Sequence, residues 1–224
     1  PSINNDLGFA KRIKDTMPNV KIAMVGTHAT ACSAEILTEN DYIDFVCRHE
    51  YDYTVPELAV AVAGKMALSD VKGISFMENG QVIDTEDRPY IENLDEIPFV
   101  SAVYKKYLDI NDYFYAHVSF PTVSIFSSRG CPSKCFYCQY SQLMFGKCYR
   151  KRSAQNLYDE CVYIKENFPE VKEILIDDDN FAVDQKNVRE FCELMIKNNV
   201  KLKWVVQVRV TLEYETMVLM KKAG

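Results

Sequence analysis

The stretch Thr122-Val-Ser-Ile-Phe-Ser127, continued by Ser128-Arg-Gly-Cys131-Pro-Ser-Lys-Cys135-Phe-Tyr-Cys138, decides how this chain is read. Its first part sets β-branched or aromatic side chains against small ones, which is the pattern of a strand. The cysteines follow in a loop that leaves the C-terminal end of that strand. In parallel α/β folds this end carries the active site. The spacing is C-x3-C-x2-C, and the other five of the eight cysteines (Cys32, Cys47, Cys148, Cys161, Cys192) stand alone.

The chain has 224 residues, long enough for an ordinary core, and shows no secretory signal. Both facts argue against a disulfide framework and for a reducing, cytoplasmic compartment. Metal or redox chemistry remains for the triplet. Three clustered thiolates suit a cubane iron–sulfur cluster with one iron left without a protein ligand. A structural zinc site prefers four ligands in two close pairs. Cys148 and His117 are the nearest fourth ligands, and neither has that spacing. Zinc and unligated thiols stand as the alternatives.

Downstream, strand and helix patterns alternate. Ser153 to Asn167 reads as an amphipathic helix with Ser153 as N-cap and Leu157, Cys161 and Ile164 on one face. Glu173 to Asp177 is a short buried strand, and Gln185 to Asn198 a helix with Val188, Phe191, Leu194 and Met195 inward. Leu202 to Val208 is a strand, and Leu212 to Lys222 a helix. With the strand at residue 122 this makes three successive βα units, joined by right-handed crossovers. Upstream, Val20 to Gly26 is a strand running into a glycine turn, Asp44 to Cys47 a second strand and Val55 to Ala67 a helix. Gly73 to Met77 and Gln81 to Asp84 flank Asn79-Gly80, a hairpin signal. Residues 85–120 hold Pro89, Pro98 and many aromatics, and read as an ordered connector.

The run R-G-C-P-x-x-C-x-Y-C after a strand resembles the signature of radical S-adenosylmethionine (radical SAM) enzymes. Tyr149-Arg-Lys-Arg-Ser153 and Glu173-Ile-Leu-Ile-Asp-Asp-Asp-Asn-Phe181 resemble the subgroup with an N-terminal cobalamin-binding domain, the hopanoid-associated radical SAM proteins among them. The resemblance implies an α/β fold: the C-terminal part of a doubly wound, Rossmann-like cobalamin-binding domain over 1–84 with its hairpin, the connector 85–120, and the first half of a partial (β/α)6 barrel over 121–224. The absence of an initiator Met, and Gly224 as a helix C-cap after a Lys-rich turn, read as a fragment cut at both ends.

The resemblance also assigns roles. Cys131, Cys135 and Cys138 would ligate a [4Fe-4S] cluster. S-adenosylmethionine would chelate the open iron and be cleaved reductively to a 5′-deoxyadenosyl radical, the chemistry belonging to the cofactors. Tyr137 matches the aromatic near the adenine; a plain core aromatic is the alternative. Asp177-Asp178-Asp179, at the end of the second barrel strand, stands in place of the more widespread Gly-Gly-Glu that meets the methionyl amine, and Asp178 and Asp179 would bind the cofactor. Adjacent carboxylates repel unless partnered, and a cationic amine or ribose hydroxyls would partner them; a helix N-cap cluster or an exposed turn is the bland alternative. Arg209, on one face with Gln207, would clamp the cofactor carboxylate, or form a surface salt bridge. Arg129, Lys134, Arg150, Lys151 and Arg152 would raise the cluster potential; for the last three a solvated basic loop serves equally.

Gly26, Thr27, His28 and Thr30 resemble the glycine turn and polar loop that approach the cobalamin tail. The family's D-x-H-x-x-G motif is not in this chain. His28, His49 and His117 read first as ordinary hydrogen-bonded residues.

A formal charge of −6 argues against a main role in holding nucleic acid. The longest apolar stretch, Leu58 to Leu68, falls short of the ~20 residues of a membrane span. The expected partners are a small-molecule or lipid-like substrate and an electron donor such as flavodoxin or ferredoxin. The expected activity is methyl transfer, cyclisation or rearrangement at an unactivated carbon of a lipid or tetrapyrrole. A methylthiotransferase, which needs further N-terminal cysteines, and a zinc-stabilised interaction module without catalysis are the competing readings.

Overall fold

The computed structural model describes residues 2–224. They divide into two compact units: residues 2–91 with 133–147, and residues 92–132 with 148–224. In chain order the first unit contains α1 (Ile3–Thr16), β1 (Ala23–Met24), α2 (Thr27–Ala31), α3 (Ser33–Glu39), β2 (Phe45–Cys47), α4 (Thr54–Val62), β3 (Ile74–Glu78) and β4 (Gln81–Asp84). The second begins with α5 (Val100–Tyr107), β5 (Thr122–Ile125) and β6 (Ser128–Arg129). The chain returns to the first unit for the short α6 (Tyr140–Leu143). It ends in the second with β7 (Arg150–Lys151), α7 (Ala154–Asn167), β8 (Glu173–Ile176), α8 (Gln185–Lys197), β9 (Lys203–Val206) and α9 (Tyr214–Ala223).

In the first unit the sheet order is β1-β2-β3-β4. β1 runs parallel to β2, and the hairpin β3–β4 is antiparallel. Alternation along β2 splits the core between two faces. Phe45 and Cys47, paired with Phe76 and Ile74, pack with Leu58, Ala61 and Val71. Val46 faces the other way, with Ala10, Ala29, Ile36 and Leu37. The turn uses positive φ at both Asn79 (52°) and Gly80 (79°), the conformation for which Asn-Gly is selected. Buried Arg48 ties the hairpin down through Ser75 (2.8 Å), Asp84 (2.9 Å) and Asp87 (2.8 Å).

The second unit is a parallel sheet ordered β5-β8-β9, each strand followed by a helix. The three βα units expected from the periodicity are therefore present. The register aligns Ile125, Ile176 and Val206 at the C-terminal edge. The core is apolar and dense around Ile125, Ile164, Ile174, Phe191 and Met195, with Phe181, Phe191 and Trp204 in edge and tilted contacts at 5.6–6.4 Å. Ser153 caps α7 by accepting from the Asn156 N–H (3.1 Å), and Asp184 caps α8 at Asn187 (3.1 Å); each relieves an orphan donor. The latter part of the connector is built into this core through Val100, Tyr104 and Ile110.

The structure corrects several boundaries. Only Ala23 and Met24 of the segment 20–26 are paired as strand, and α4 stops at Val62. α1 carries no counterpart in the sequence reading, although Ile3, Leu7 and Ala10 follow helical spacing and pack on one core. Among the described residues no helix is long and apolar enough to cross a membrane.

Candidate functional site

Three loops leave the C-terminal edge of the β5-β8-β9 sheet: Phe126 to Cys131, Asp177 to Asp184, and Gln207 to Glu213. They draw together because the parallel register continues past the strands. Asp177 N–H donates to the Ile125 carbonyl (2.8 Å), and Phe181 N–H to the Gln207 carbonyl (3.0 Å). The Arg209 N–H donates to Asn180 Oδ1 (3.4 Å). The acidic turn, the cysteine loop and the Arg209 segment thus share one edge.

Within the acidic turn the carboxylates differ. Asp178 is buried, and both its oxygens are used by Ser127 and Ser128. Burial pushes its pKa up, against the pull of those four hydrogen bonds. Asp179 is exposed, and its carboxyl is also raised, first by desolvation and then by repulsion from Asp178 and Asp177. The expectation that both carboxylates face a cofactor needs correction for Asp178, whose lone pairs are spent within the protein. The helix-cap alternative fails too, since Asp184 caps α8.

The basic run also divides. Lys151 pairs with Asp184 at 2.6 Å. Arg152 is 2% exposed, pairs with the fully buried Glu160, and stacks against Phe99 (5.4 Å) and Phe126 (5.7 Å). It donates to the Phe126 carbonyl (2.8 Å), and its N–H donates to the Ser127 carbonyl (2.8 Å). Neither a solvated loop nor a cluster-facing charge describes Arg152; it is a buried clamp on the end of β5. Arg129 lies over the Phe126 ring at 4.6 Å.

Cys131 belongs to the second unit, Cys135 and Cys138 to the first. All three are partly buried, and none of the eight cysteines forms a disulfide. Among the described residues no group of three His, Cys, Asp or Glu side chains stands in metal-holding geometry. The donor set nonetheless suits a thiolate-bound cluster: three undisulfided cysteines in irregular chain, with the Cys138 N–H on the Cys135 carbonyl (3.1 Å). Tyr137 is 76% exposed and edge-on to Phe136 at 5.5 Å, so it is no core aromatic. Cys47, Cys161 and Cys192 are buried, and desolvation pushes their thiols up to about 11, 12 and 12; they are ordinary core thiols.

In the first unit Gly26 has φ 105° and ψ −178°, a region only glycine adopts comfortably. The turn opens a cavity of about 450 Å³ lined by Met24, Gly26, Thr27, His28, Gln139 and Leu143, among others. Thr30 does not line it. Its hydroxyl accepts from the His49 N–H (3.1 Å) and reaches Met144 Sδ (3.9 Å). His49, read from the sequence as an ordinary hydrogen-bonded residue, is one, although its φ of 58° and its partner, the Leu143 carbonyl (2.8 Å), carry no local signal.

No family model matches the chain. TsrM of Kitasatospora setae is a radical S-adenosylmethionine methyltransferase solved with cobalamin and a [4Fe-4S] cluster bound. It superposes with a TM-score of 0.77 at 13% identity, over 100% of this chain and 43% of that one. The cobalamin-dependent S-adenosylmethionine radical enzyme OxsB gives 0.69 at 17%, over 99% and 32%. The chain has the fold of the cobalamin-dependent radical SAM enzymes. The α/β fold that the resemblance implied is thereby borne out. In sequence the chain is 32% identical to an uncharacterized methyltransferase of Pyrococcus horikoshii, over 96% of this chain and 45% of that protein. It is 32% identical to the anaerobic magnesium-protoporphyrin IX monomethyl ester cyclase of Synechocystis, over 85% and 36%. The hopanoid C-3 methylase of Methylococcus capsulatus follows at 26%, over 91% and 37%. The chain spans less than half the length of these curated relatives.

Proposed function

We propose that this chain is the cobalamin-type and cluster-carrying part of a radical SAM enzyme that methylates or cyclises an unactivated carbon of a tetrapyrrole- or lipid-like substrate. The observation that carries the reading is the cysteine loop leaving β5 at the C-terminal edge of a parallel sheet. Residues 1–84 form the cobalamin-type part, 85–120 the connector and 121–224 the barrel part. Cys131, Cys135 and Cys138 hold the [4Fe-4S] cluster. When bound, it supplies the electron that cleaves S-adenosylmethionine reductively.

The chain's own residues bind and orient. Asp179 is the exposed carboxylate at the sheet edge, suited to the methionyl ammonium. Arg209, exposed and held at the same edge through Asn180, suits the methionyl carboxylate. Tyr137 offers an exposed ring for the adenine. Gly26, Thr27 and His28 line the cavity offered to cobalamin, and Thr30 supports its wall through His49. The reaction takes place in the cytoplasm, with an electron donor of the flavodoxin or ferredoxin kind.

The alternatives lack support. A methylthiotransferase needs a second cysteine set upstream; of Cys32 and Cys47 the latter is fully buried. Cys148 and His117, the fourth ligands a zinc site would need, are exposed and lack the paired spacing of such a site. The test is anaerobic reconstitution of wild type and of a variant with all three cysteines changed to Ala. Iron, sulfide and brown absorbance in the wild type alone support the reading. Equal iron in both, or stoichiometric zinc with neither iron nor sulfide, overturns it.

A further inference from the structure

Asp178 is 3% exposed, yet among the described residues it pairs with no cation. Its Oδ1 accepts from the N–H groups of Ser127 (2.7 Å) and Ser128 (3.0 Å). Its Oδ2 accepts from the hydroxyls of the same two serines, the Ser128 contact at 2.8 Å. Four donors fill the acceptor capacity of one carboxylate. Both serines are themselves buried, and the half-buried Tyr149 shares a hydrogen bond with Ser128.

The register explains the meeting. Ile125 pairs with Ile176. Two residues beyond each, Ser127 and Asp178 remain neighbours. Ser128 then leads through Arg129 and Gly130 (φ 78°) to Cys131. The carboxylate therefore grips the chain only three residues before the first cysteine, and it does so through backbone N–H groups, which fix direction as well as position.

We propose that Asp178 is a positioning residue for the Cys131 loop, and that the binding of the cationic cofactor group falls to Asp179 alone. The inference rests on the cluster reading of Cys131, Cys135 and Cys138. Asp178 acts on the cluster through Ser127 and Ser128, as hydrogen-bonded outer groups tune metal ligands elsewhere. Asp179 has its carboxylate at the surface of the same turn. Two adjacent residues of one acidic run thus do different work, because strand alternation turns one inward and the next outward.

The experiment compares Asp178→Asn, Asp179→Asn and the double variant Ser127→Ala/Ser128→Ala with wild type, each purified and reconstituted anaerobically. Iron and sulfide per chain, the electron paramagnetic resonance spectrum of the reduced cluster, and the S-adenosylmethionine Kd of cluster-loaded protein are measured. Asp178→Asn places an amide against donors. It should weaken cluster retention against a chelator roughly tenfold or more and change the spectrum recorded without S-adenosylmethionine. The Kd of the loaded fraction should stay within about twofold of wild type. The double serine variant keeps the carboxylate and should shift the same two readouts in the same direction, which covers the case where Asp178→Asn fails to fold. Asp179→Asn should keep full iron and raise the Kd about tenfold or more. Normal cluster retention and spectrum in the Asp178 and serine variants would overturn the proposal, as would a raised Kd confined to Asp178→Asn. A wild-type chain that takes up no iron and sulfide would instead remove the cluster reading itself.

Discussion

Nδ1 of His49 lies 2.8 Å from the carbonyl oxygen of Leu143, ninety-four residues further along the chain. His49 holds this position at φ 58°, with Asp87 at 3.8 Å from its other ring nitrogen and Tyr90 edge-on at 6.3 Å. Its N–H donates to Thr30, whose hydroxyl also reaches Met144. The segment following Cys138 is therefore pinned within the first unit by one histidine and one threonine. His49→Ala should cost about 1 kcal/mol of stability and speed amide exchange over residues 139–147. Unchanged exchange there would refute the pinning role.

The Arg152–Glu160 pair is enclosed at 2% and 0% exposure. Glu160 also accepts from Ser101 N–H (3.0 Å) and hydroxyl (2.8 Å). Removing one partner strands the other charge, so Glu160→Leu should destabilise by about 3–5 kcal/mol in denaturant unfolding. The double variant Arg152→Met/Glu160→Leu should recover most of that loss. Equal losses in both would show that Arg152 acts through its carbonyl contacts instead.

Asp44 meets Lys21 at 2.7 Å and Lys14 at 2.9 Å. Burial pushes its carboxyl up, but the two lysines and the Ile22 N–H together hold it below its ordinary value. A depressed folded pKa gives stability that is present above the unfolded value near ~3.9 and lost as pH falls through the folded one. Wild type should therefore lose more stability below about pH 4 than Asp44→Asn. Parallel stability–pH curves for the two proteins would disprove the linkage.

Thiol labelling separates the cysteines by environment. Cys47, Cys161 and Cys192 have thiols pushed to about 11, 12 and 12 by burial. Only the thiolate reacts. In the metal-free native protein at pH 8 these three should label on the unfolding timescale, while Cys131, Cys135, Cys138 and exposed Cys148 label first. Mass mapping of the labelled sites checks the order.

The three βα units and the hairpin were legible because each is announced locally: apolar periodicity for α7 and α8, a β-branched run for β5, and Asn79-Gly80 for the turn. The inward face of α7 was read as Leu157, Cys161 and Ile164, and all three are buried. What escaped depends on register between distant segments. A run of Arg150, Lys151 and Arg152 looks uniformly basic, yet Arg152 turns inward between two aromatic rings. Asp177 to Asp179 look alike, yet pairing with β5 buries only the middle one. The same limit hid the partner of His49, the Leu143 carbonyl.

The contact between Asp178 and Ser127 spans 51 residues of chain. During synthesis, Cys131 to Cys138 leave the ribosome well before Asp178 does. The crossover through α7 and the pairing of β8 with β5 must form before the cysteine loop acquires its anchor. On the proposed cluster reading, maturation of the centre would be timed by translation and folding of the second βα unit, and a stall between residues 138 and 178 would leave the thiols on an unanchored loop.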